Sequence, residues 1–168
     1  MAVDLGDLIE NLQAEVNPPG TDLFPDANDE DWVVRLQNGF WNAVLDGLII
    51  GYTESDGLVT PMSGTTDLSR DLQQIVVFYA GMDTIRNEIR NLGVNTRAKA
   101  GPVEFESTKS ATTLRDILKE LQYRRNLLLN RLGDLGVTST YYIDAVIARD
   151  QSYVDGLTSW VSLREGIA

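Results

Sequence analysis

One stretch limits the possible folds of this chain more than any other, the run from Ala111 to Leu132. Ala111, Leu114, Leu118, Leu121, Leu128 and Leu132 recur at steps of three, four and seven, with Arg125 interrupting the row. A strand would send alternate side chains to opposite faces, so this spacing fits only a helix that buries one stripe. It predicts a helix over 107–133, ended by Gly133 and Gly136. The alternation is that of a bundle core or a coiled-coil-like seam.

A single apolar stripe must be covered, and three more lie upstream. Leu5, Leu8, Ile9, Leu12 and Val16 mark a short amphipathic helix over 2–16, stopped by Asn17-Pro18-Pro19-Gly20. After a linker at 21–27, a second helix is expected to begin near Asn28 or Asp29. Asn28 suits the N-cap, and Asp29, Glu30 and Asp31 complement the dipole in the first turn. Val33, Leu36, Phe40, Val44 and Leu48 form its face, with Trp32, Trp41 and Ala43 widening it and Gly47–Gly51 fraying its end. A third helix, over 68–92, follows a cap at Thr66 or Asp67. It carries Leu68, Leu72, Ile75, Tyr79, Met82 and Ile89, broadened by Val76, Phe78 and Ile85, with Gly93 as its C-cap. The expected fold class is mainly α, a small bundle of about four helices.

The connections carry their own signals. Residues 50–62 read as a β-hairpin or a loop, with Asp56-Gly57 as a type I′ turn. The segment Val94–Glu106 reads as extended. Val103 and Phe105 alternate with Glu104 and Glu106, as in a strand with one wet face. Pro102 cannot donate a ladder hydrogen bond, so a strand here is an edge or begins at Val103. Residues 137–168 read as a C-terminal arm, set apart from a helical domain at 1–136. Tyr141, Tyr142, Tyr153 and Trp160 are its candidate interface anchors.

Charge and composition narrow the chemistry. The chain carries a net charge of −11 and no histidine or cysteine. Nine acids and no base precede Arg35, whereas Arg86 to Arg131 holds ten bases against five acids. Such a dipolar layout suits docking on copies of the same chain or on a complementary partner. Sequence-independent DNA binding needs clustered cations that displace counterions, and the whole chain does not look like that. Without histidine there is no Ser-His-Asp triad and no His-ligated metal, and without cysteine no thiolate site or disulfide scaffold. No run approaches the roughly 18 apolar residues of a membrane span. The opening MAVDLGDLIENL is acidic and does not read as a secretory signal.

Candidate motifs fail on inspection. Asp26-x-Asn28-x-Glu30 resembles the start of an EF-hand loop, but Asp31 and Gln37 stand where the loop needs Gly and Glu, so capping is the better reading. No GxxxxGK[ST] occurs. Asp116 and Glu120 share the polar face of the last helix and read as a solvated pair. No catalysis, cofactor or metal is expected.

A series of short patterns, in order, gives the chain a resemblance. They are D-L-F-P-D at Asp22–Asp26, D-W-x-x-x-L at Asp31–Leu36 and F-W-x-A-x-x-D-G at Phe40–Gly47. D-G-x-V-x-P at Asp56–Pro61, Y-A-G at Tyr79–Gly81, K-A-G-P-V-E-F at Lys99–Phe105 and S-A-x-x-L at Ser110–Leu114 complete it. Across about residues 21–132 the chain resembles the head-to-tail adaptor (connector) proteins of tailed bacteriophages. The resemblance implies a structural virion protein, made in the host cytoplasm, that forms a ring, commonly twelve-fold, beneath the portal protein. A downstream neck or tail component would dock on its far side. DNA would pass through the lumen without specific binding, and an acidic lumen would offer it few cations. The alternative is a cytosolic helical regulator that binds one protein partner. Within the adaptor expectation, Arg97 and Lys99 would touch an acidic surface of a neighbouring subunit or of the portal. Val103 and Phe105 would pack or pair as a strand there.

Overall fold

The computed structural model describes residues 2–20, 22–98 and 111–134, with 93–98 and 134 described by backbone alone. It is mainly helical with a small three-stranded antiparallel sheet. By its contacts the chain divides into two units, 1–125 and 126–168, and of the second only the last turns of a helix, 126–134, are described. The expected boundary at 136, and the arm beyond it, lie outside the described residues.

The first sixteen residues are not one helix. Val3–Asp4 form strand β1, Leu5–Leu8 a 3₁₀ turn, and Ile9–Val16 helix α1. Val3 pairs with Val59, and Leu5 N–H donates to Gly57 O at 2.8 Å, so the hairpin captures the chain's first residues as a strand. The Asp4 carboxylate then accepts from Gly6 N–H at 2.8 Å and turns the chain into the helical run. Leu5, Leu8, Leu12 and Val16 still share one buried face, as their spacing required.

Helix α2, Asp29–Leu45, starts as its sequence predicts. Asn28 Oδ1 accepts from Asp31 N–H at 2.9 Å, and Asp31 Oδ2 accepts from Asn28 N–H at 3.1 Å, a complete capping box. The expected fraying of its end does not occur. Gly47, at φ 72°, donates to Val44 O, and Leu48 N–H reaches back to Ala43 O at 3.0 Å. This is a Schellman closure, with Leu48 and Ala43 both buried beneath it.

Strands β2 (Tyr52–Ser55) and β3 (Leu58–Pro61) form the hairpin, in the order β1-β3-β2. Asp56 and Gly57 both have positive φ, 53° and 85°, which is what a type I′ turn demands.

Helix α3, Arg70–Ala98, begins later and ends later than its stripe suggests. The Ser69 hydroxyl, rather than Thr66 or Asp67, accepts from the first turn, from Leu72 N–H at 3.3 Å. Gly93 does not stop it, and Val94–Ala98 are helical where an extended segment was expected. A glycine inside a helix costs only about 1 kcal/mol relative to alanine. Within an established helix no new nucleus has to form on the far side of the glycine, so a cost of that size need not end the helix. Helix α4 is Ala111–Asp134.

Helices α2 and α3 pack against each other most extensively, with α1 laid across both. Gly39 makes the close approach possible. A Cβ there would stand 2.6 Å from both Ala80 N and Val76 O, so backbone meets backbone. Gly81, one residue on, receives α1 and α4: its missing side chain faces Leu121, Val16 and Leu12 at 3.3–3.6 Å. The Y-A-G pattern is thus a packing device. Tyr79 completes it by donating its hydroxyl to Asp46 Oδ2 at 2.5 Å, tying α3 to the end of α2.

Three core expectations change, the first being Ala111, which opens the expected α4 stripe but is exposed. Trp41 does not widen the core face and is 44% exposed. Arg125 does not interrupt the α4 stripe by leaving it. It is fully buried, with its guanidinium 5.4 Å from the centre of the Tyr79 ring, and the stripe resumes at Leu129 and Leu132 rather than Leu128. Burying a guanidinium is tolerable only where charge and ring faces receive it.

Candidate functional site

Helix α2 has more apolar residues than its core face uses. Trp32, Leu36, Phe40 and Ala43, with Gly39, point inward. Val34, Trp41 and Leu45 fall at steps of seven and four on the opposite side and form a second row. Leu45 is 81% exposed and Val34 53%. Ile50, 74% exposed, follows the end of the helix. Met62 is also exposed, and its N–H donates to Gly51 O at 2.8 Å across the hairpin base.

Trp41 is held rather than loose. Its indole Nε1–H donates to Glu54 Oε2 at 3.0 Å, and the ring meets Phe40 edge-on at 5.3 Å. Glu54 is itself fixed, because its Oε1 accepts from Gln37 Nε2 and from Gly57 N–H, both at 2.8 Å. An aromatic side chain locked this way loses little conformational entropy when something packs on it.

The row is acidic at one end. Asp29, Glu30 and Asp31 occupy the first turn. The only base in α2, Arg35, is drawn away to stack on Phe24 and Trp32, at 4.9 and 4.7 Å from their ring centres. Burial there lowers its pKa below the usual guanidinium range, while Asp31 and Glu88 act in the other direction. Apolar side chains beside three acids and a single base, itself stacked on two rings, make a surface suited to a partner that brings cations and apolar groups together.

A second cluster joins α1, α3 and α4. Arg124 Nη1 donates to Glu15 Oε2, and Gln74 Nε2 donates to Glu15 Oε1 at 3.3 Å. Burial raises the Glu15 pKa; Arg124 and Gln74 oppose that rise and Glu120 adds to it. One partly buried carboxylate clamped between a cation and an amide holds helices together. Its carboxylate oxygens are taken up by Arg124 and Gln74, a structural arrangement rather than a free acid–base group. Among the described residues no group of three or more acids could hold a metal ion, and no helix is long and apolar enough to cross a membrane.

Of the residues singled out in the sequence, Arg97 has its backbone in the last turn of α3, not in an extended segment. Its side chain, and Lys99, Val103, Phe105, Tyr141, Tyr142, Tyr153 and Trp160, lie outside the described residues. The α2 row was missed. Its signal was a surplus: Val34, Trp41 and Leu45 share a face that the Leu36–Phe40–Ala43 stripe does not need. In comparisons with known proteins, no family model, no curated protein and no solved structure matches this chain.

Proposed function

We propose that this chain is a head-to-tail adaptor of a tailed bacteriophage, a structural subunit that forms a ring beneath the portal, joins capsid to tail and surrounds the DNA channel. The observation that carries the proposal is the outer row of α2. Val34, Trp41 and Leu45 expose large apolar side chains along one face, and such a face bounded by acids suits a protein partner. The sequence patterns supply the class of partner. Several of them do definite work in the fold: Phe40–Gly47 provides the core, the anchored Trp41 and the Schellman end of α2, Asp56–Pro61 the hairpin, and Tyr79–Gly81 the helix contact. The virion neck is the proposed location, and the portal, a tail-side component and further copies of the chain are the proposed partners.

Electron microscopy of the full-length protein mixed with its cognate portal tests this. Rings stacked on the portal are expected. A small defined complex with another protein, and no ring, would replace the adaptor by the regulator that the same surface could also serve.

A further inference from the structure

We infer that the outer row of α2 docks a second copy of this chain. Its occupant is the basic and apolar run that begins at Arg97 on the last turn of α3 and continues through Lys99, Val103 and Phe105. This rests on the proposed ring and names the contact by which neighbouring copies meet.

Two observations choose the occupant. The first is charge. Along α2 the row reads acid, acid, then apolar: Glu30, Asp31, Val34, Trp41, Leu45. Arg35, the one cation on the helix, is stacked on Phe24 and Trp32 and meets Asp31 electrostatically, so a single cation stands against the three acids of the first turn. The run from Arg97 reads cation, cation, then apolar, in the same order: Arg97, Lys99, Val103, Phe105. Laid alongside, cations meet acids and apolar residues meet apolar residues. Two α2 rows facing each other would bring no cation to either set of acids.

The second is length. Glu30 to Leu45 is fifteen helical steps, about 22 Å at 1.5 Å per residue. Lys99 to Phe105 is six steps, about 20 Å if drawn out as a strand at 3.3 Å per residue. The charged ends and the apolar ends therefore fall into register together. Trp41, already fixed by Glu54, needs no rearrangement to receive Val103 or Phe105. Donor and receiver are different surfaces of one chain, so the contact is heterologous. Repeated around an axis, it closes into a ring.

The test uses the full-length chain with the photo-reactive p-benzoylphenylalanine at position 45, where 81% exposure leaves room for it. Equal amounts of ordinary and ¹⁵N-labelled copies are mixed at the highest concentration that stays clear, irradiated and digested. The expected product joins position 45 of one isotopic copy to a peptide from 97–105 of the other. Arg97→Glu with Lys99→Glu in both copies should lower the yield of that product about tenfold. Adding Glu30→Lys should restore much of it, a rescue that a general loss of folding would not produce. Cross-links confined within one copy, cross-links to another segment, or none at all would each overturn the inference. Inter-copy cross-links with no ring on the portal would uphold this contact and sink the adaptor proposal. Rings on the portal without these cross-links would do the reverse.

Discussion

Helix α2 presents two faces that follow different rules. The inner face is fitted to a specific neighbour: Gly39 exists to let Val76 and Ala80 approach, and Phe40, Leu36 and Ala43 fill the space on either side. The outer face holds equally large apolar groups, Val34, Trp41 and Leu45, which stay between 44% and 81% exposed. One of them is pinned by a hydrogen bond to the hairpin. On the inner face, geometry leaves no freedom and a methyl group is too much. On the outer face, chemistry is displayed and geometry is permissive. The difference teaches that hydrophobic residues on one helix need not serve one purpose, and that close fit separates the folding face from the displayed one.

Four measurements would break or sharpen that contrast. The largest effect is expected from Gly39→Ala. Its Cβ would press on backbone atoms that cannot swing aside, so unfolding in urea should show a loss of about 3 kcal/mol. An unchanged midpoint would mean that α2 and α3 are less closely seated than the fold requires.

Next in size is Tyr79→Phe. It keeps the ring under Arg125 and removes only the hydroxyl that reaches Asp46. A loss of about 1.5 kcal/mol is expected, as for a hydrogen bond to a charged group. A neutral result would leave Asp46 as a helix end that needs no tie to α3.

A smaller effect belongs to Glu15. Its pKa is raised in the folded protein from the ordinary 4.5, chiefly by burial. The folded state therefore holds the Glu15 proton more tightly than the unfolded state. Its contribution to stability is fully present below the ordinary value and is lost as pH rises through the folded value. Glu15→Gln should flatten that part of the melting-temperature profile, read as the difference between wild type and variant from neutral to mildly acid pH. A difference that grew toward neutral pH in favour of wild type would show that the Arg124 pair dominates over burial.

The smallest effect on folding should come from Leu45→Ser, within about 0.5 kcal/mol of wild type, because the side chain is already in water. Assembly on the portal should nonetheless weaken. A large drop in melting temperature would show that the outer face belongs to the fold after all, and the contrast between the two faces would collapse.

The parts of the fold governed by neighbours in sequence were legible from the residues. The Asn28 capping box, the acids of the first turn and the Asp56-Gly57 turn depend on backbone groups three or four residues away, and their residue types state the geometry they need. The stripes of α1 and α3, and that of α4 from Leu114 to Leu121, were legible for the same reason, since helical period alone decides which side chains share a face. The candidate surface was legible only as a surplus. Val34, Trp41 and Leu45 are no less apolar than Phe40 and Leu36, and nothing local says which row will be covered.

Tertiary structure decided what depends on distant partners. Val3 became a strand because β3 stood ready to pair with it. Gly93 stayed helical because its cost of about 1 kcal/mol falls inside an established helix, where no new nucleus has to form. Arg125 entered the core because Tyr79 lay where its guanidinium could rest. Trp41 turned outward because Glu54, thirteen residues further along the chain, offered its indole an acceptor. The sequence by itself determined the periods, caps and turns, whose free energies are set within a few residues. Only the folded chain decided which apolar row is buried and which is left to a partner. That choice depends on the fit between surfaces far apart in sequence, and no local preference encodes it.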